Sequence, residues 1–171
     1  FDGASTQTIN AGGTGSDAKD FNNLTVSGST LQLTGTALEV DGTLTINSSK
    51  VLDLNGQNLT LGTLDNSGTL QLTGDETLTV TTWDNDSGLV KYIATSGTRN
   101  IKDFGDTDYY NLEIAGDGGT FTLGADLKVA NNLTVSNGTF NGGTNAIDID
   151  GNVLISGGTL TATSGTFTVG G

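Results

Sequence analysis

The stretch Leu44-Thr45-Ile46-Asn47-Ser48-Ser49-Lys50-Val51-Leu52-Asp53-Leu54-Asn55-Gly56-Gln57-Asn58-Leu59-Thr60-Leu61-Gly62-Thr63-Leu64 decides the architecture of this chain. It holds three short runs, Leu44-Thr45-Ile46, Leu52-Asp53-Leu54 and Leu59-Thr60-Leu61, before the pattern returns to its start at Leu64. Each run alternates apolar and polar residues, so in an extended backbone its outer pair points one way and its middle residue the other. Between the runs stand Asn47-Ser48 and Asn55-Gly56, residues that tolerate the left-handed backbone of a sharp corner. Three strands and three corners in about twenty residues make one coil of a three-sided β-solenoid.

Working outward, Leu24, Leu44 and Leu64 keep the step, as do Leu31, Leu52 and Leu70, and Leu38, Leu59 and Leu78. Each trio is expected to stack at the roughly 4.8 Å spacing of a parallel sheet. In the second half the expected stacks are Leu112, Leu133 and Val153; Phe121, Phe140 and Leu160; and Leu127, Ile147 and Phe167. The halves also resemble each other: Phe21-Asn22-Asn23-Leu24-Thr25-Val26 matches Tyr109-Tyr110-Asn111-Leu112-Glu113-Ile114 at an offset of 88, and Thr6-Gln7-Thr8-Ile9 matches Thr98-Arg99-Asn100-Ile101. The fold class is therefore all-β: a single-stranded parallel β-helix of about eight coils, residues 1–171, made of two similar modules, about 1–89 and 90–171. Right-handedness is assumed from the commonest solenoids of this coil size.

Rival folds explain less. Apolar residues at helical spacing are not sustained anywhere, and abundant Thr, Gly and Asn oppose helix. A β-sandwich is the alternative, but it calls for longer strands with antiparallel turns and does not account for the twenty-residue step. The beat weakens from Asn10 to Asp20 and from Thr81 to Tyr110, which are expected to protrude as loops carrying the only Trp and all three Tyr. Trp83, Tyr92 and Phe104 are read there as cover for a coil seam.

The 171 residues are 33% apolar, sufficient for a thin stacked core, and include 27 Gly but no Pro, Cys, Met or His. Nineteen acidic residues against six basic ones give a net charge of −13, which repels phosphate backbones and anionic membranes and keeps an extended surface soluble. Nucleic acid and membrane insertion are accordingly not expected, and no apolar run is long enough to span a bilayer. The start at Phe1-Asp2-Gly3, without Met or a basic, apolar-cored leader, is expected of a piece of something longer.

Without His or Cys, neither a Ser-His-Asp triad nor a thiolate nucleophile nor a His-ligated zinc can form. Carboxylate pairs are left, and Asp103, Asp106 and Asp108 form the cluster that a polysaccharide-active β-helix enzyme would use; the expectation is no enzyme, the triplet being loop carboxylates. Asp84 and Asp86, in Asp84-Asn85-Asp86-Ser87-Gly88, space oxygen ligands as a short calcium turn does, and Asp148 and Asp150 share a strand face. Neither the distal Glu of an EF-hand nor the Gly-Gly-x-Gly-x-Asp repeat of a β-roll accompanies them, so calcium is the one candidate cofactor and a plain acidic turn the favoured reading. For a glycan the candidate stacking residues are Trp83, Tyr109 and Tyr110.

Thr-x-Thr pairs recur at Thr43/Thr45, Thr77/Thr79, Thr120/Thr122, Thr159/Thr161 and Thr166/Thr168. An ice-binding plane would need them on one side, whereas the three-sided register is read as scattering them, with Asp65 and Glu113 interrupting the first side. Strand propensity then accounts for Thr. The Asn-x-Ser/Thr sites at Asn23, Asn58, Asn132 and Asn137 are glycan acceptors only on a eukaryotic secretory route and otherwise strand grammar.

The segments Thr6-Gln7-Thr8-Ile9, Phe21-Asn22-Asn23-Leu24-Thr25-Val26, Gly42-Thr43-Leu44-Thr45-Ile46 and Val51-Leu52-Asp53-Leu54-Asn55-Gly56-Gln57-Asn58-Leu59-Thr60 resemble the Thr/Gly/Asn-rich repeats of large bacterial cell-surface proteins, such as autotransporter passengers and filamentous-haemagglutinin-type adhesins. The resemblance is one of repeat style along the whole chain. It implies an extracellular, non-enzymatic stalk, adhesin or filament component and transfers no binding residue. Both ends are read as stopping within the pattern, so each terminal coil is expected to expose unpaired backbone and seek other copies or adjacent repeats by end-to-end stacking.

Overall fold

A computed structural model describes residues 1–12 and 21–171, and all regular structure in them is β. The chain is a β-solenoid of about eight turns whose strands stack in parallel about 20 residues apart. No antiparallel pair occurs among the described residues, which removes the sandwich alternative. Residues 13–20 of the expected Asn10–Asp20 loop lie outside the described residues. Two compact units are formed, Phe1–Leu72 with Glu76–Asp84, and Thr73–Asp75 with Asn85–Gly171.

The first unit contains β1 (Thr6–Ile9), β2 (Leu24–Val26), β3 (Thr30–Leu33), β4 (Leu38–Ile46), β5 (Val51–Asp53), β6 (Leu59–Asn66), β7 (Thr69–Leu72) and β8 (Leu78–Thr82). The expected stacks are present residue for residue: Leu24 on Leu44 on Leu64, Leu31 on Leu52 on Leu70, and Leu38 on Leu59 on Leu78. Leu31, Leu44, Leu52, Leu59 and Leu70 are fully buried. Each such burial stabilises by roughly 1.5–3 kcal/mol, before the chain entropy is counted.

Two sides run into one another here. β4 and β6 are single strands through the corner at Asp41-Gly42 and Gly62, with a register shift between Val40 and Thr43 instead of a break. Ladder bonds continue through the bend, Asp41 donating to the Phe21 carbonyl and Gly42 to that of Asn22, both at 2.8 Å. Gly42 is required there for close approach, since a Cβ would come within 2.6 Å of Asn23 Oδ1. Left-handed backbone appears instead at Ser49 and at the Asn55-Gly56 corner, where φ is 48° and 78°.

The second unit contains β9 (Leu89–Tyr92), β10 (Thr98–Ile101), β11 (Asn111–Ile114), β12 (Thr120–Leu123), β13 (Leu127–Val129), β14 (Leu133–Val135), β15 (Thr139–Asn141), β16 (Ile147–Ile149), β17 (Val153–Ile155), β18 (Thr159–Thr161) and β19 (Phe167–Val169). Its sides are β9-β11-β14-β17, β10-β12-β15-β18 and β13-β16-β19, again with the expected stacks.

Thr81–Tyr110 is a correction. Instead of protruding throughout, it contributes β9 and β10 to the lattice, with Tyr92 in register with Ile114 and fully buried. A tyrosine in an aliphatic position hides the strand pattern, because its polar tip reads as surface. Among the described residues β1 pairs only with β3 and keeps an open outer edge, whereas the edge of β2 is covered. Phe1 and Gly3 lie along β2: the Phe1 carbonyl accepts from Ser27 and Gly28 at 2.8 and 2.6 Å, and the Gly3 carbonyl from Ser29 at 2.8 Å, while Leu24 and Val26 stay buried. At the other end Ile155, Phe167 and Val169, though in inward register, remain 48%, 38% and 42% exposed.

Candidate functional site

Corners are built by one recurring device. An Asn or Asp just before a strand turns its side-chain oxygen to the backbone N–H of the equivalent residue one coil later. Asn23 Oδ1 accepts from Thr43, Asn58 Oδ1 from Thr77, Asn132 Oδ1 from Asn152 and Asp126 Oδ1 from Ala146, at 2.7–3.0 Å. Each bond satisfies a donor that a corner would otherwise leave open, for about 0.5–1.5 kcal/mol. The sequon asparagines Asn23, Asn58 and Asn132 are thus corner residues, and Asn137 Oδ1 accepts from Gly138 at 3.0 Å.

Asp108 is the buried member of the same series. Its Oδ2 accepts from the Lys128 amide at 2.9 Å and its Oδ1 from the Phe104 amide at 2.8 Å. Loss of water raises its pKa above the usual carboxylate value, the two amides oppose that rise, and the nearby Asp103 carboxylate adds to it. Both oxygens are committed to backbone. Asp103 Oδ1 closes its own turn on the Gly105 amide at 2.9 Å, and Asp106 borders an open depression of about 350 Å³ with Asp126, Lys128 and Asp148. The triplet therefore contains two turn-forming carboxylates and one at the surface.

The wall beside that depression carries one cation between two acids. Lys128 Nζ donates to Asp148 Oδ2 at 2.6 Å and also to Asp150 Oδ1, and these bonds raise the lysine pKa. Asp148 and Asp150, which share a strand face as expected, thus hold an ammonium. Asp84 Oδ2 accepts from the Asn66 amide at 2.5 Å, and Asp86 is exposed. Among the described residues no three acidic side chains are grouped to hold a metal ion.

The aromatic candidates part company. Trp83 and Tyr110 are half-buried, whereas Tyr109 has no accessible surface and no face to offer a sugar. Its hydroxyl donates to the Lys102 carbonyl at 2.6 Å and stands 3.0 Å from that of Tyr92, which accepts from the Lys102 amide at 2.9 Å. With its own proton spent on Lys102, Tyr109 must accept from Tyr92, and the circuit is closed. Burial pushes the Tyr109 phenol well above its ordinary pKa of 10.0. Phe104 packs edge-on against Tyr109 and Phe121 against Tyr92, each with ring centroids 5.6 Å apart. The seam-covering reading thus fits Tyr92 and Phe104, with Tyr109 as the member it left out. The adjacent Tyr110 obscures it, since the two neighbours differ in burial, Tyr109 being buried and Tyr110 half-buried.

One side differs from these. On β10, β12, β15 and β18 the outward positions form two ranks, Thr98, Thr120, Thr139 and Thr159, and Asn100, Thr122, Asn141 and Thr161. The five Thr-x-Thr pairs are spread over sides as expected, with Thr43/Thr45 on β4, Thr79 on β8 and Thr168 on β19, but Thr120/Thr122 and Thr159/Thr161 share this one; Asp65 and Glu113 belong to other sides.

Compared with protein-family models, curated proteins and solved structures, the chain matches none. Among the described residues no helix is long and apolar enough to cross a membrane.

Proposed function

We propose that this chain is a non-enzymatic structural module of an extracellular or cell-surface fibre, stalk or adhesin, extended end to end by further coils or by copies of itself. One observation carries the reading: the coil formed by β17, β18 and β19 presents Ile155, Phe167 and Val169 to solvent, although their registers point inward. Among the described residues each of these strands pairs on one edge only. Such an edge is a template for another parallel strand, and stacking gains both ladder bonds and apolar burial. The repeat style of bacterial surface proteins supports the same location.

The test has two parts. Sedimentation and electron microscopy over a concentration series should find stacking that Ile155→Lys abolishes, with an axial repeat of about 4.8 Å in any fibre. Appending one coil with the Leu133–Asn152 pattern should raise the unfolding midpoint. A chain that stays monomeric at high concentration and gains nothing from the added coil refutes the proposal.

A further inference from the structure

We propose that the outer face of β10, β12, β15 and β18 binds ice. It is independent of the end-to-end reading, since a monomer carries the face complete.

The argument starts from register. Four strands pair without a shift, Thr98 to Thr120 to Thr139 to Thr159 and Asn100 to Thr122 to Asn141 to Thr161. Neighbouring rows are therefore about 4.8 Å apart along the stack, and the two ranks, separated by two residues of about 3.3 Å rise, about 6.6 Å apart. Polar groups on this grid have repeats of the size that oxygens show on the faces of hexagonal ice.

Chemistry restricts the occupant further. In a chain of net charge −13, none of the eight outward side chains is ionisable. The corresponding positions of the neighbouring sides include Lys91 and Glu113, paired at 3.2 Å, and Lys128 and Asp148. Arg99 points inward in register with Phe121, with its Nε 2.7 Å from Asp75. Ice accommodates ions poorly, whereas a threonine offers a hydroxyl that joins the water network and a methyl that orders the water around it. Protein and nucleic-acid partners would find neither charge nor an aromatic anchor here.

The face is also preorganised. Threonine is stiff at χ1, and Thr122 Oγ1 sits 3.1 Å from Asn100 Oδ1 and 3.2 Å from the Arg99 carbonyl, tying one row to the next. Asn141 Oδ1 is fixed by the Gly143 amide at 3.1 Å. Gly97, Gly119, Gly138 and Gly158 precede the four threonines, so no side chain rises at that margin. A surface ordered beforehand loses little entropy on meeting a solid lattice.

Partition of the full chain into slowly grown polycrystalline ice, with thermal hysteresis measured alongside, tests the proposal. The native chain should enter the ice, Thr139→Lys should stay in the liquid at background level, and Thr134→Lys, on the β14 face, should partition like the native chain. Circular dichroism of both variants checks folding, and Thr120→Val provides a second, uncharged variant that should keep the shape and lose part of the hysteresis. Native chain excluded from ice, or equal loss in Thr134→Lys and Thr139→Lys, overturns it.

Discussion

The side carried by β3, β5 and β7 and the side carried by β12, β15 and β18 are both parallel stacks in register, filled differently. In the first, leucines 31, 52 and 70 stack inside, and the outer positions include Val51, Asp53 and Gln32. Their polar atoms are used internally: Gln32 Nε2 donates to Asp53 Oδ2 at 2.7 Å, and Asp53 Oδ1 accepts from Asn55 at 2.9 Å. In the second, Phe121 and Phe140 replace leucine inside and Thr or Asn fills every outer position. The difference teaches that the lattice constrains the inward residue and the corner, while the outward residue is left to serve either the fold or a ligand.

The largest way to break that comparison is to empty the inner stacks. Phe140→Ala should cost about 3–5 kcal/mol and Leu52→Ala about 2–5, both being fully buried, as read from urea unfolding. A phenylalanine deletion costing under 1 kcal/mol would mean that the aromatic side is loosely packed. Corners come next. Gly138 has φ 67°, and a Cβ there would meet the Gly119 carbonyl at 2.8 Å, whereas a Cβ on Gly124 meets nothing within 4 Å. Gly138→Ala should therefore destabilise by about 2 kcal/mol and Gly124→Ala stay within about 0.5, and equal effects would refute the role given to close coil approach.

The smallest effect concerns position 109, tyrosine where the matching segment 88 residues earlier has Phe21. Both make the same kind of parallel bridge, Phe21 to Val40 and Tyr109 to Val129. Tyr109→Phe should cost about 1 kcal/mol near neutral pH by opening the hydroxyl circuit. It should also change the alkaline limb. With its folded pKa raised well above 10.0, Tyr109 contributes stability that is complete below about pH 10 and is lost as pH climbs toward the folded value, because only the unfolded chain gives up the proton. Lys128, raised above 10.5, acts in the same sense. Melting temperature followed from pH 9 upward should fall less steeply in Tyr109→Phe than in the native chain; parallel curves would remove Tyr109 from the account.

Much of the fold is legible in residues because inward Leu, Ile, Val and Phe at a fixed step leave only one stacking register. The Leu24, Leu31 and Leu38 stacks and their counterparts follow from that step alone. Tyr92 and Tyr109 are not legible in this way, since a phenol suits both a surface and a core that supplies a hydrogen-bond circuit. The Thr/Asn face is legible in part: the Phe121, Phe140 and Leu160 stack places Thr120, Thr139 and Thr159 on one side, whereas Thr98 and Asn100 fall in the stretch expected to protrude as a loop. Of the acidic candidates, Asp108 stands out only once Phe104 and Lys128 are brought to it by folding.

By itself the sequence determined the β-solenoid, its coil length, the inward stacks, the acidic surface and the lack of histidine and cysteine chemistry, because periodicity and composition act locally and repeat. Only the tertiary structure decided that Phe1–Gly3 covers one strand edge, that Tyr92 and Tyr109 close a buried circuit, and that eight uncharged side chains share a face. These depend on which residues from different coils meet, and a contact between coils is set by the shapes of all the corners between them.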